Sequence, residues 1–420
     1  MTSTAEPVAG ADHADAQKNT LVVLFSSAIF ARAALSIGFA VASLLVKDIL
    51  DSATWAGLAT VAITVGTAAS ASLLSQYMAK QGRRPGLVLG FSTAVVGGVV
   101  SLWGAEIRLL PLFLFGLVLT GIGSGAANLA RYAAADLAEP NTRGKAISMV
   151  VFASTIGAVA GPAAVGVADS WGQSLGLSEN VGPYGFTAIF FTVAALIVFV
   201  RLRPDPLVLS GGLETASSPK RKSFVDSLRI IMSHPLSRLA LGALVVAQAV
   251  MVGVMAMTPV HMDAHGHSVS TIGWVISAHT LGMFAFAPLA GWASDRFGKI
   301  PAIVFSGAVL VAACALTSLA AEAPNLLMFP GLYLLGLGWS FGMVAGSALL
   351  TSSVPEEDRV SAQGAADLIA SVVAGSAALA SGLILSMAGF HILSTVGLVA
   401  SGLLVVAGFS RQRMGPLQVA

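Results

Sequence analysis

The sequence predicts an all-α membrane protein: twelve transmembrane helices in two six-helix halves, with the N and C termini both cytoplasmic. Three observations carry this. The 420 residues are 56% hydrophobic and only 10% charged, with a mean hydropathy of +0.85, whereas a soluble domain has about 25% charged residues. Runs of about 20 apolar residues, each long enough to cross a ~30 Å hydrocarbon core, recur along nearly the whole chain. One polar stretch, 202–238, divides the chain into six runs and six.

The first 18 residues are polar and slightly acidic, unlike the basic start of a cleavable signal. Residues 1–18 therefore read as a cytoplasmic tail, and the first apolar run, 19–46, as a retained span. It carries Arg32 close to mid-depth. The spans 54–78, 85–104 and 109–138 follow, the last holding Arg131 and Asp136 near its cytoplasmic end. Span 146–170 contains Gly157, Gly161, Pro162 and Gly166, small residues that permit close helix approach and a proline that bends the helix. Span 184–201 completes the N-terminal half, 19–201. Beyond the linker, 239–409 supplies 239–260, 271–293, 300–320, 326–352, 360–387 and 391–409, leaving 410–420 as a second cytoplasmic tail. Several spans exceed the minimum length and must tilt or protrude.

Charge sets the orientation. With the N-terminus inside, 18 of the 22 Lys and Arg fall in cytoplasmic segments, the expected positive-inside asymmetry. The connection "HMDAHGHSVS" then faces outward. A net charge of +2 argues for no nucleic-acid partner, and a single cysteine, Cys314, allows no internal disulfide. No nucleotide loop, catalytic triad or soluble catalytic domain is present, so an enzyme is not expected. Tight loops leave little surface for a protein partner, so the expected partners are the lipid bilayer and a small cargo, and the expected state is a monomer.

The halves echo each other. "GWASDRFGKIPA" after the eighth span aligns with "SQYMAKQGRRPG" after the second, Gly298 over Gly82 and Lys299 over Arg83. The stretch Gly291, Asp295, Arg296, Gly298, Lys299 resembles the G-x-x-x-D-R-x-G-[RK] loop of major facilitator transporters, a family with this parallel repeat. "RYAAADLAEPNTRGKA", from Arg131, resembles that family's fourth-to-fifth helix junction. The resemblance implies a conformational latch formed by those residues with Gly82 and Arg83; Arg131, near the cytoplasmic end of its span, is expected to join it by pairing with Asp136. The N-terminal copy is degraded, with Ser75 for the first glycine and Ala79 for the aspartate.

The window from Met251 to Met283 holds five of the thirteen methionines and four of the seven histidines. Met251 and Met255 are four apart, on one face of the seventh helix, and His279 and Met283 are four apart on the eighth. Each pair lies near the midplane, where such transporters bind substrate. Thioether sulfur prefers Cu(I) and imidazole accepts copper, while an ionisable residue at the midplane reads by default as functional. His261, Met262, Asp263, His265 and His267 would form an outer capture group. Met257, taken singly, reads as packing. The pattern M-x-x-x-M then H-x-x-x-M resembles the CcoA-like copper importers, a branch of bacterial cytoplasmic-membrane transporters in which relatives carry riboflavin. It implies copper as transported substrate, with no permanently bound cofactor. Two features pull elsewhere. "GAVAGPAAVG" resembles the fifth-helix motif of proton-coupled drug or metabolite exporters, and a fixed Arg32 cation favours an anionic or uncharged substrate over free Cu(I) unless it is latched to a neighbouring carbonyl or copper arrives as a neutral or anionic complex.

Overall fold

A chain in lipid must satisfy every backbone N–H and C=O within itself, so apolar runs of this length fold as helices. The computed structural model describes residues 6–138, 143–211, 213, 223–320, 324–355 and 358–413, and every regular element among them is helical. In order these are α1 (Glu6–Leu50), a short 3-10 turn (Ala53–Trp55), α2 (Leu58–Gln81), α3 (Arg83–Glu106), α4 (Leu110–Ala133) and α5 (Arg143–Ala163). Then come α6 (Val165–Ser174), α7 (Gly182–Arg201), α8 (Pro206–Leu209), α9 (Phe224–Ser233) and α10 (Pro235–Ala264). The chain continues with α11 (Val269–Phe284), α12 (Ala287–Phe297), α13 (Lys299–Leu319), α14 (Pro324–Ser353) and α15 (Arg359–Arg413). The basic centre of the linker and most of the predicted C-terminal tail lie outside the described residues.

Ten of these helical stretches are long and apolar enough to cross a membrane, or eleven if the bent pair α5–α6 counts as one. The expected boundaries shift for local reasons. α1 starts at Glu6, so helix runs through most of the predicted tail. Span 146–170 bends by 50° between α5 and α6, just past Pro162, whose ring displaces the preceding turn. Span 271–293 breaks at Ala285–Phe286, ahead of Pro288, which has no N–H to return to Phe284. The last two spans run together as α15, interrupted only at Gly389 with φ 82° and ψ 171°, a conformation that favours glycine.

The chain divides into two compact units: residues 1–45 with 62–218, and 46–61 with 219–420. The first unit is centred on Leu24, Met78, Leu87, Phe91 and Phe191, all fully buried. Here Gly157 and Gly161 bring α5 onto α1: a Cβ on Gly157 would stand 2.0 Å from the Ile29 carbonyl oxygen, and one on Gly161 2.6 Å from that of Ala33. Without a hydrophobic drive between helices in lipid, such backbone approach is a main source of packing energy. The second unit is centred on Ile303, Ala243, Leu350 and Ala362. Large apolar side chains such as Leu319 and Met387 stay exposed, as a lipid-facing surface requires.

The aligned glycines adopt the same backbone: Gly82 at φ 104°, ψ 168° and Gly298 at φ 100°, ψ 155°. In the first unit the loop is fastened by Arg83, whose Nε and Nη2 donate to the two Asp136 carboxylate oxygens at 2.8 and 3.2 Å. Arg131 is not the partner of Asp136; its Nη2 donates to the Tyr132 hydroxyl at 3.1 Å and its guanidinium lies over that ring. The aspartate missing at Ala79 has a substitute from the linker. Asp205 accepts from the Arg84 backbone N–H at 2.6 Å and also caps α8 through Leu207 and Val208. In the second unit Gly291, Gly298 and Lys299 are half-buried, while Asp295 and Arg296 are exposed.

Two outcomes follow. Gly157→Leu should force α1 from α5 and lower stability by roughly 1–3 kcal/mol, read as a drop in melting temperature in detergent; an unchanged melt would show the contact to be slack. Asp205→Ala strands three backbone donors and should lower stability by about 1–2 kcal/mol while speeding hydrogen exchange at the Arg84 amide.

Candidate functional site

Met251, Met255 and His279 are all buried, at 8%, 4% and 2% exposure, and Met283 is half-buried. Measured along the helix at about 1.5 Å per residue, Met255 lies about 14 Å from the C-terminal end of α10 and His279 about 15 Å from the N-terminal end of α11. Met251 and Met283 lie about 20 and 21 Å in. The two pairs therefore lie at matching distances along their helices from the turn that joins α10 to α11.

Their helices are not the close neighbours that sequence order implies. α10 packs along α14 and α15, and α11 packs along α14, so the pairs share a neighbour more than an interface. The α11–α14 crossing is tight because of glycine: a Cβ on Gly336 would fall 2.1 Å from the His279 carbonyl oxygen, and one on Gly282 2.4 Å from that of Tyr333. At this crossing His279 Nδ1 meets the Leu332 carbonyl oxygen at 2.9 Å. The oxygen can only accept, so Nδ1 carries the proton. Nε2 is left with an unshared lone pair, buried and without a hydrogen-bond partner.

α14 is also where residues not anticipated from the sequence enter. Trp339 Nε1 donates to Gln248 Oε1 at 2.8 Å, tying α14 to α10 three residues before Met251. Phe284, beside Met283, packs edge-on against Trp339 with ring centroids 6.0 Å apart. A glutamine inside an apolar span was the available signal for Gln248; nothing local marks Trp339 as its partner, or Leu332 as that of His279.

The expected outer capture group does not assemble as five donors. Met262 is 1% exposed, packed inside, because at this register its side chain turns to the apolar interior. Asp263 is engaged by Lys47 at 2.6 Å. His261, His265 and His267 remain at the end of α10 and its turn. Among the described residues no three His, Cys, Asp or Glu come together as a metal cage.

Arg32 sits within the first unit, half-buried on α1. Its Nη2 donates to Asn128 Oδ1 on α4 at 2.9 Å, and its Nε is buried without a partner. The latch to a neighbouring carbonyl anticipated for this cation is thus an amide side chain, which holds the charge without neutralising it.

Three comparisons bear on this arrangement. The profile described as Major Facilitator Superfamily matches residues 23–268 and 239–416. Over 390 residues the chain is 34% identical to the uncharacterized MFS-type transporter YddS of Bacillus subtilis, covering 92% of this chain and 89% of that one. It is 26% identical over 388 residues to the riboflavin transporter RfnT of Brucella anthropi, covering 90% and 92%. In fold it is similar to a POT family transporter solved with 5-aminolevulinic acid, at TM-score 0.71 and 11% identity, over 93% of this chain and 96% of that one. With its long apolar helices, its repeated glycine loop and relatives that match along nearly its full length, the chain belongs to the Major Facilitator Superfamily, as a multi-pass secondary transporter and not an enzyme.

Proposed function

We propose that the chain imports copper, as Cu(I), by alternating access across a bacterial cytoplasmic membrane. In this reading the chain makes twelve crossings with both termini inside, and Met251, Met255, His279 and Met283 are the ligands met at mid-depth. The observation that supports it best is the state of His279. Metal-binding histidines are commonly held by donating the far ring nitrogen to a carbonyl, which fixes the tautomer and aims the other nitrogen as a lone pair. His279 has that arrangement already, through Leu332. A buried polar atom left unpaired costs about 1–3 kcal/mol, and a soft cation at Nε2 would offset this. Met283 one turn along α11, with Met251 and Met255 at matching depth on α10, offers the thioethers that Cu(I) prefers over hard-ion ligands. An inside-negative potential of about 100 mV contributes ~2.3 kcal/mol per monovalent charge, enough to drive uptake without a proton relay.

A second reading is uptake of a planar organic molecule such as riboflavin. RfnT favours it, as do the half-buried Trp339 with its Gln248 and Phe284 contacts, which present an aromatic face and an amide.

Leucine replaces methionine at similar volume for less than about 1.5 kcal/mol, so Met251→Leu with Met255→Leu separates ligation from packing. Copper uptake in proteoliposomes should fall at least tenfold in this double variant while the melting temperature stays nearly unchanged. His279→Ala should abolish copper uptake. Unchanged copper uptake in both variants, together with riboflavin flux that falls in Gln248→Ala, would reject copper and establish the organic cargo.

A further inference from the structure

The C-terminal end of α10 and its capping residue hold a second group of unsatisfied ring nitrogens, nearer the end of the helix than Met251 and Met255. His261 and His265 are four apart, and their rings lie side by side with centroids 4.4 Å apart and planes inclined at 57°. His265 Nδ1 contacts the His261 carbonyl oxygen at 2.8 Å. The proton is again on Nδ1, so the exposed Nε2 of His265 presents a lone pair. His261 is 7% exposed and its Nε2 is buried with no hydrogen-bond partner. Its ring is held flat against Phe390, centroids 4.3 Å apart and planes within 7°. Phe390 is itself buried and follows the Gly389 break in α15. The stacking holds the ring in place and leaves this nitrogen without a protein partner.

Two histidines one helical turn apart on a single face present the spacing by which a helix holds a transition metal. The nearby carboxylate is not available as a third ligand, since Lys47 holds Asp263 and neutralises it. With no three-residue cage among the described residues, water would complete the coordination shell. Nitrogen and water suit a borderline divalent ion, whereas the thioethers deeper in α10 suit a monovalent one.

The geometry points to a two-imidazole site at the outer end of α10, formed by His261 and His265, that binds Cu(II) or Zn(II). The site differs from the mid-depth set in donors, depth and metal, and it stands whether or not copper is the cargo.

The test is binding of Cu(II) to the full chain in lipid nanodiscs, followed by electron paramagnetic resonance and by competition with Zn(II). The native chain should bind one equivalent with hyperfine structure from two nitrogens, displaced by Zn(II). His265→Ala removes an exposed ring that contributes nothing to the core, and should weaken binding at least tenfold and erase the two-nitrogen signal. His261→Asn should do the same, while Met251→Leu with Met255→Leu should leave the signal intact. A two-nitrogen signal that survives His265→Ala, or no stoichiometric binding by the native chain, would overturn the assignment.

Discussion

One hydrogen bond organises the second unit: the imidazole of His279 donating to the Leu332 carbonyl. It exists because Gly336 has no side chain. A β-carbon there would collide with the His279 backbone, separating α11 from α14 and placing the ring beyond reach of Leu332. Once the ring is captured, its tautomer is determined, its second nitrogen becomes an acceptor, and a polar atom is committed to the interior of an apolar bundle. α14 then reaches in the other direction through Trp339 to Gln248 on α10. Residues distant in the chain are thereby referred to one helix.

The fold was legible because the bilayer leaves few options. Hydropathy located nearly every helix, and the paired loops around Gly82 and Gly298 proved to share one backbone conformation. What was not legible was pairing. Spacing put Met251 with Met255 and His279 with Met283 on one face each, but only the structure shows that α10 and α11 both lie along α14. Helix periodicity says which residues share a face but not which helix that face meets. The same gap explains Asp136, assigned to its near neighbour Arg131 but held by Arg83, over fifty residues away. It explains the outer group too, where Met262 packs inward and Asp263 belongs to Lys47.

Ionisable side chains within the spans follow one pattern in both units. Arg32 rests on an amide and His279 on a carbonyl, each leaving one nitrogen buried and unengaged. Neutral partners orient a donor without cancelling its chemistry. A carboxylate at either place would have offered a full negative charge in place of a neutral oxygen, and so a closer-held donor.

The substitution of Asp205 for the aspartate absent at Ala79 changes what the segment between the halves is. Its first residues are not a passive tether, because one carboxylate there closes the start of α3 and the start of α8 together. Anyone dividing this polypeptide into separately expressed pieces, or inserting a reporter into it, should place the joint beyond Leu209. A cut made where the apolar run ends, at Leu202, would deprive the first piece of its own fastening.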